Sequence, residues 1–243
     1  MARPGRLTSG RLALFVALTS CMSLLSGCSN RPRESMPAES MPIPGVWLEV
    51  QTRGGRLPES QEWRSMGPKG IALTKRSESF RGKPYNDPVG FCTVGYGHLI
   101  KKVPCDGSEP PEFVPEVSEP AATRLLMQDM RIAEYPVLTE VSRDISLTQT
   151  QFDALCDFVF NVGAQNFRQS QLLVVINDRE FYRVPDQLRR WVYADRKKLP
   201  GLVTRREREI ELFMEGVTIT RGPVPPNDDL SPIDIRTGES PSR

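Results

Sequence analysis

Two carboxylates and a hydroxyl stand close together in the stretch between residues 78 and 98. They are Glu78, Asp87 and Thr93, which are nine and six positions apart. Two carboxylic acids held apart across a groove can cleave a glycosidic bond. One protonates the leaving oxygen, while the other acts on the opposite face of the sugar. Most acid pairs are solvated surface charge, so the surrounding elements decide what this pattern means.

The elements predicted around these residues bring all three side chains to one side. A short amphipathic helix that begins near Lys69 ends at Glu78. Asp87 is followed by Pro, Val and Gly, the order typical of a type I turn. The aromatic and β-branched residues at 91–94 indicate a strand that carries Thr93. We therefore expect a helix end, a turn and a strand that face one cleft.

The chain beyond Ser118 is predicted to be mainly helical. Ser118 can cap a helix with Pro120 in its first turn, and its buried side would run from Ala122 to Ala133. Thr148 and Gln151 form a capping box at the start of another helix. Further helices are expected at 170–177, 185–193 and 203–215. The predicted fold class is α+β, with a small helix and β-hairpin lobe, a larger helical lobe and a cleft between them.

The N-terminus has the features of an export signal. Three arginines precede an apolar run from Leu12 to Leu25, and Leu25-Ser26-Gly27-Cys28 resembles the lipobox of bacterial lipoproteins. We expect residues 1–28 to be a lipoprotein-type signal peptide with Cys28 lipidated, and the mature chain to be anchored in the outer membrane, facing the periplasm. A plain signal cut elsewhere and an uncleaved signal anchor remain alternatives.

Composition shifts divide the remainder of the chain. Residues 29–67 have little periodicity and are predicted to be a flexible tether. The folded catalytic domain is expected at 68–216. Residues 217–243 are rich in Pro and Asp and are predicted to be a disordered tail.

The charge balance argues against a nucleic-acid partner. Loss of three arginines with residues 1–28 would leave 29 of the 32 basic residues against 30 acidic ones. One local run, from Arg179 to Arg208, holds ten basic and four acidic residues. This run is either a solvated face or a contact for an anionic polymer or for peptide carboxylates. We expect a monomer.

His98 is the only histidine, which argues against a Ser-His-Asp triad and a histidine-based metal site. We interpret it as a structural residue, and we expect no cofactor. Cys92 and Cys105 flank a short loop, and a disulfide between them would stabilise the fold by roughly 3 kcal/mol. Cys156 is predicted to be a small core residue.

The motifs together resemble one known family. Glu78, Asp87 and Thr93, followed by Val-Gly-Tyr-Gly-His, resemble the active-site signature of phage-type lysozymes, the endolysins of many tailed phages. Blocks that begin at Gly70, Gln151 and Gly201 are similar to the family's entry helix, large-lobe helix and closing helix. The resemblance covers about residues 68–216. Cys92 stands where family members often carry an aromatic residue, and residues 101–117 form a longer link than usual.

The resemblance implies a lysozyme-like two-lobed fold and a muramidase that cuts peptidoglycan glycan strands. It implies that Glu78 is the general acid, Asp87 orients the attacking water and stabilises the transition state, and Thr93 positions that water. It also implies inversion, which requires carboxyl groups roughly 6.5–9.5 Å apart. Two alternatives remain: a lytic transglycosylase that remodels the wall, and a non-catalytic peptidoglycan-binding lipoprotein.

Overall fold

The computed structural model describes residues 62–218, 222 and 228–241. The predicted signal peptide, the lipidation site Cys28 and residues 29–61 of the predicted tether lie outside the described residues. Within the described ranges, no helix is long and apolar enough to cross a membrane.

The small lobe contains one helix and a three-stranded antiparallel sheet. Helix α1 spans Pro68–Ser77. Strands β1 (Arg81–Asn86), β2 (Cys92–Gly95) and β3 (His98–Lys101) follow in that order across the sheet. Gly95 and Gly97 both have a positive φ, which allows the tight bend between β2 and β3.

The larger lobe is helical. A short 3₁₀ turn at Pro111–Phe113 leads into it. A second 3₁₀ turn, Phe181–Arg183, lies further along the chain. The helices are α2 (Glu119–Asp129), α3 (Arg131–Glu140), α4 (Gln149–Val162), α5 (Ala164–Arg168), α6 (Gln171–Asn177), α7 (Val184–Arg189) and α8 (Pro200–Phe213). A two-stranded hairpin, β4 (Tyr193–Ala194) and β5 (Lys197–Lys198), precedes α8. The predicted α+β class is confirmed.

Helix α4 lies at the centre of the core. Thr148 caps it through the predicted capping box with Gln151, and its apolar stripe is buried, including Phe152 and Leu155. Phe158, on the same helix, meets Phe167 and Trp191 edge to face. This rigid helix forms the platform on which α1 and α8 pack.

Helix α1 is anchored at its start by buried carboxylates from the helical lobe. Asp153 accepts hydrogen bonds from the backbone N–H groups of Gly67 and Gly70, at 2.8 and 3.2 Å. Glu134 accepts from the N–H of Met66 at 2.7 Å and from the indole of Trp63 at 2.8 Å. These bonds satisfy donors that a helix N-terminus otherwise leaves unpaired. The packed domain therefore begins by Trp63, within the stretch predicted to be a tether.

The C-terminal segment also differs from expectation. Residues 228–241 pack on the helical lobe, although the Pro- and Asp-rich composition predicted disorder. Ile233 is buried, and its neighbour Asp234 forms a parallel bridge with Tyr193. Asp228 pairs with Arg183 at 2.8 Å. The aspartates that suggested a solvated tail are instead used as ion-pair and hydrogen-bond partners.

Gly70→Ala should destabilise the protein by roughly 1–3 kcal/mol, because overpacking shifts the backbone where α1 meets α4. A Cβ there would lie 2.6 Å from Cγ of Met66 and 2.7 Å from Cβ of Asp153. Gly201→Ala is the matched control, since its Cβ would meet nothing within 4 Å, and it should be neutral or stabilising. Denaturant unfolding of both variants measures the difference; equal stabilities would contradict the close packing.

Candidate active site

A cavity of about 390 Å³ opens between the end of α1 and the β1–β2 turn. Glu78 and Asp87 both line it, so the structure brings the two predicted carboxylates to one space. Its other walls are Ser79, Arg81, Tyr85, Asn86, Pro88, Tyr96 and Gly97. The aromatic rings and the amide provide surfaces that suit a sugar.

Asp87 is fixed by the turn that it starts. Its Oδ1 accepts hydrogen bonds from the backbone N–H groups of Val89 and Phe91, at 2.9 and 2.8 Å. Its carbonyl accepts from the N–H of Gly90 at 2.9 Å, which closes the predicted turn. The carboxylate therefore keeps one orientation at the cavity without support from the helical lobe.

Glu78 is fixed by the helical lobe. It is the C-cap of α1, and its backbone N–H donates to the carbonyl of Thr74 at 2.9 Å. Its Oε1 accepts from Nη1 of Arg205 in α8 at 2.7 Å. Among the described residues, no hydrogen bond reaches Oε2. One oxygen is thus held while the other can face the cavity.

Arg205 itself is buried and forked between two carboxylates. Its Nε and Nη2 each donate to Asp157 at 2.9 Å, and Asp157 also accepts from the hydroxyl of Thr74 at 2.7 Å. Burial alone would raise the pKa of Asp157, but the charge and hydrogen bonds of Arg205 outweigh burial and lower it. Conversely, burial would lower the pKa of Arg205, and the charge of Asp157 raises it. Both groups therefore stay charged inside the protein.

A second buried pair lies beside the first. Nη2 of Arg206 is 3.0 Å from Oε1 of Glu209, and it donates to Oδ1 of Asn161 at 2.6 Å. The Glu209 oxygens are close enough for an ion pair but lack an aligned hydrogen bond. Burial raises the pKa of Glu209 well above its ordinary value, an effect that the charge of Arg206 only partly offsets. The side-chain oxygen of Asn161 is thus used to hold Arg206.

Thr93 does not line the cavity. It is 4% exposed on β2, and its hydroxyl donates to the carbonyl of Tyr85 at 3.3 Å. Tyr85, its partner across the β1–β2 ladder, is a wall of the cavity. The structure thus brings Glu78 and Asp87 together and places Thr93 one layer behind them.

Cys92 and Cys105 form a disulfide, as the sequence predicted. The bridge ties the start of β2 to the loop after β3. Near it, Oε1 of Glu109 makes a contact of 3.6 Å with Sγ of Cys92. Cys92, Cys105 and Glu109 are the only group of three or more potential metal ligands among the described residues, and the two sulfurs are already bonded to each other in the disulfide. Cys156 is free and buried, as expected.

Some partners of the site were not identified from the sequence. The buried pair of Arg205 with Asp157 was missed. A signal existed, because Asp157 is a charged residue inside the apolar stripe of α4, between Cys156 and Phe158. His98 is structural, as predicted: its Nδ1 lies 3.0 Å from Asp129 at the end of α2.

Comparison with known proteins identifies the family of this fold and cavity. The family model described as "Phage lysozyme" matches residues 75–209, more than half of the chain. The chain belongs to the phage lysozyme family. It is therefore a glycoside hydrolase, a lysozyme-type enzyme that acts on peptidoglycan.

Individual relatives agree with this assignment. The chain is 40% identical over 139 residues to a SAR-endolysin of Bacteriophage PS119, covering 57% of this chain and 77% of the relative. It is 33% identical over 145 residues to the endolysin of Salmonella phage P22, covering 60% and 94%.

Solved structures show the same fold. The muramidase domain of SpmX from Asticaccaulis excentricus has a TM-score of 0.53 at 29% identity, covering 62% of this chain and 98% of that one. A variant of P22 lysozyme has a TM-score of 0.55 at 28% identity, covering 63% and 99%. The predicted lysozyme-like fold is confirmed.

Arg205→Met should destabilise this lysozyme by about 3–5 kcal/mol, because it leaves the Asp157 charge buried and unpaired. The double variant Asp157→Leu/Arg205→Met removes both charges and should regain part of the lost stability. Activity should stay low in the double variant, since Glu78 has still lost its anchor. Denaturant unfolding and a lysis assay measure the two properties separately.

Arg208→Met is the matched control, because Arg208 lies three residues further along α8, is half-buried and makes no ion pair with the described residues. It should change the free energy of unfolding by less than about 1 kcal/mol. Full recovery of activity in the double variant would contradict the role given to Arg205.

Proposed function

We propose that this lysozyme hydrolyses the β-1,4 bond between N-acetylmuramic acid and N-acetylglucosamine, with Glu78 as the general acid. The observation that supports this most directly is the cavity shared by Glu78 and Asp87, each fixed by a different element. Two independently fixed carboxylates can act on opposite faces of one sugar. We expect a separation of roughly 6.5–9.5 Å between the carboxyl groups, as an inverting mechanism requires.

The proposed chemistry assigns one role to each group. Glu78 gives a proton to the glycosidic oxygen as the bond to the anomeric carbon breaks. Asp87 takes a proton from a water molecule, whose oxygen bonds to that carbon from the opposite face, and its charge stabilises the oxocarbenium-like transition state.

We propose that Thr93 holds that water from behind the cavity wall that Tyr85 forms. Its hydroxyl donates to the carbonyl of Tyr85, so its oxygen lone pairs are the groups that remain for a water O–H. Because β2 pairs with β1 here, any shift of Tyr85 would move Thr93 and the water together.

Glu78→Gln and Asp87→Asn should each reduce the rate of peptidoglycan hydrolysis by at least about 100-fold, the usual contribution of a general acid or base. Both amides retain an acceptor oxygen for their hydrogen bonds with Arg205 and the turn, so folding should be unaffected. Glu112→Gln, at an exposed acid outside the cavity, is the control. Undiminished lysis by Glu78→Gln would refute the assignment.

Thr93 is tested by a matched pair of substitutions. Thr93→Ser keeps the hydroxyl and should keep most activity, whereas Thr93→Val keeps the shape and should lose it. The products test the reaction class: reducing muramic ends, first formed with inverted configuration, are expected. Anhydro-muramic ends would favour the transglycosylase alternative, and binding without any product would favour a non-catalytic lipoprotein.

We also propose that the enzyme is exported and tethered to a membrane through Cys28. The disulfide between Cys92 and Cys105 supports export, because such bonds persist in oxidising compartments. A lipid tether would keep the enzyme beside the cell wall.

Mass spectrometry of the mature N-terminus from a bacterial host tests the tether. An acylated Cys28 as the first residue is expected, and Cys28→Ser should abolish the acylated species. An intact Met1 would instead indicate an uncleaved signal anchor, and a terminus elsewhere would indicate a plain signal peptide.

A further inference from the structure

The basic run from Arg179 to Arg208 is largely used inside the protein. Six of its ten cations form ion pairs: Arg179 with Asp144, Arg183 with Asp228, Arg189 with Glu207, Arg190 with Asp229, Arg205 with Asp157 and Arg206 with Glu209. Arg196, Lys197, Lys198 and Arg208 make no ion pair with any described residue. The first three are consecutive and exposed on the β4–β5 hairpin. We call residues 193–198 the cationic hairpin.

The cationic hairpin is held in one conformation. Asp195 and Arg196 at its tip have φ values of 50° and 62°, as a two-residue hairpin turn of type I′ requires. Non-glycine residues adopt this conformation at a cost, so it needs support from elsewhere. Arg196 receives that support through its backbone N–H, which donates to Oδ2 of Asp234 at 2.6 Å.

Asp234 is a buried carboxylate from the C-terminal segment. It is 2% exposed, and its Oδ1 accepts from the backbone N–H of Arg236 at 2.9 Å. Burial would raise the pKa of Asp234, but hydrogen bonds from the backbone at Arg196, Arg236 and Asp195 outweigh burial and lower it. The tip of the hairpin is therefore hydrogen-bonded to a carboxylate, Asp234, that is buried and charged.

The C-terminal segment also extends the hairpin's backbone pairing. The N–H of Ile235 donates to the carbonyl of Tyr193 at 2.9 Å, and the N–H of Ile233 donates to that of Arg190 at 2.7 Å. Residues 228–241 lie beyond the stretch that matches the family model, which ends at residue 209. The contacts of this segment hold the hairpin in place, and the hairpin carries three cations that make no ion pair with any described residue.

The cationic hairpin lies at the start of the helix that holds Glu78. Helix α8 begins at Pro200, directly after the hairpin and Leu199, and Arg205 lies one and a half turns along it. The rise of an α-helix puts Arg205 only about 9 Å along the axis from Leu199. A peptide stem of four extended residues spans roughly 13 Å, so a stem next to the scissile bond is long enough to cover that axial distance.

We propose that the cationic hairpin binds the carboxylates of the peptide stems on the glycan strand, so that peptide-bearing strands are the preferred substrate. This rests on the proposed function, because muramic acid beside the scissile bond carries the stem. The glycan itself is neutral apart from such groups, so the stems provide the anions. An anionic lipid surface fits less well, since such recognition uses clusters of about four to eight cations.

The test uses the variant Arg196→Asn/Lys197→Gln/Lys198→Gln, assayed on intact peptidoglycan and on the same glycan after enzymatic removal of its peptides. On intact strands kcat/KM should fall about tenfold, mainly through KM, as the loss of three exposed charge contacts implies. On peptide-free strands it should stay within about twofold of wild type. Added salt should weaken the wild type's preference for intact strands.

A control with the same charge change is Lys102→Gln/Arg124→Gln/Arg143→Gln, at three exposed cations outside the hairpin. It should behave like the wild type on both substrates. An equal loss on both substrates in the hairpin variant would overturn the proposal, as would an equal loss in the control. Loss of binding to vesicles of anionic phospholipid, with unchanged kinetics on intact strands, would identify a membrane surface instead.

Binding measurements separate this proposal from the proposed function. In a Glu78→Gln background, affinity for intact and peptide-free peptidoglycan can be measured by sedimentation without turnover. The hairpin substitutions should lower affinity for the intact form only. If wild type hydrolyses neither form but this selective loss remains, the catalytic assignment fails while the stem contact stands; no selective loss overturns the contact.

Discussion

The active site depends on one buried ion pair, between Arg205 and Asp157. Two charges removed from water are stable only when each is paired and hydrogen-bonded, and both conditions hold here: the guanidinium donates twice to the carboxylate of Asp157 and once to that of Glu78. The guanidinium group of an arginine is planar. The hydrogen bonds of Nε and Nη2 with Asp157 therefore also fix the position of Nη1, which donates to Glu78. The position of Glu78 is therefore set from the core of the helical lobe.

Helix α1 carries this constraint between the lobes. Asp153 holds its first turn, Thr74 in its middle donates to Asp157, and Arg205 holds Glu78 just past its end. The two α4 acids are four residues apart, so one face of α4 presents both to α1. Gly70 allows this close approach because a larger residue would meet Asp153. Packing and site geometry thus share the same contacts.

Sequence signals were most informative where structure is local. The Thr148 capping box, the Asp87 turn and the Cys92–Cys105 bridge each depend on residues close along the chain, and all are present. Long-range pairing was not visible: a charge in the apolar stripe indicates that Asp157 needs a partner, but nothing near it shows that the partner lies 48 positions away. The disorder predicted from composition at the C-terminus was wrong for residues 228–241. The aspartates there, which are typical of disordered segments, pair with arginines of the helical lobe. One expected helix divides at Met130, whose carbonyl accepts from the N–H groups of both Ala133 and Glu134.

The two carboxylates of the cavity are supported in opposite ways, and this difference bears on how the lobes cooperate. Asp87 is held by N–H groups of its own turn, with β1 and β2 paired beside it and Cys105 joined to β2. Glu78 is held by a side chain from the helical lobe. A movement of the three-stranded sheet relative to α1 and α8 would therefore change the distance between the carboxyl groups without breaking the hydrogen bonds that hold either of them. The mechanism needs room for a water between the carboxyl groups, so the position of the sheet relative to α1 and α8 is what sets that room.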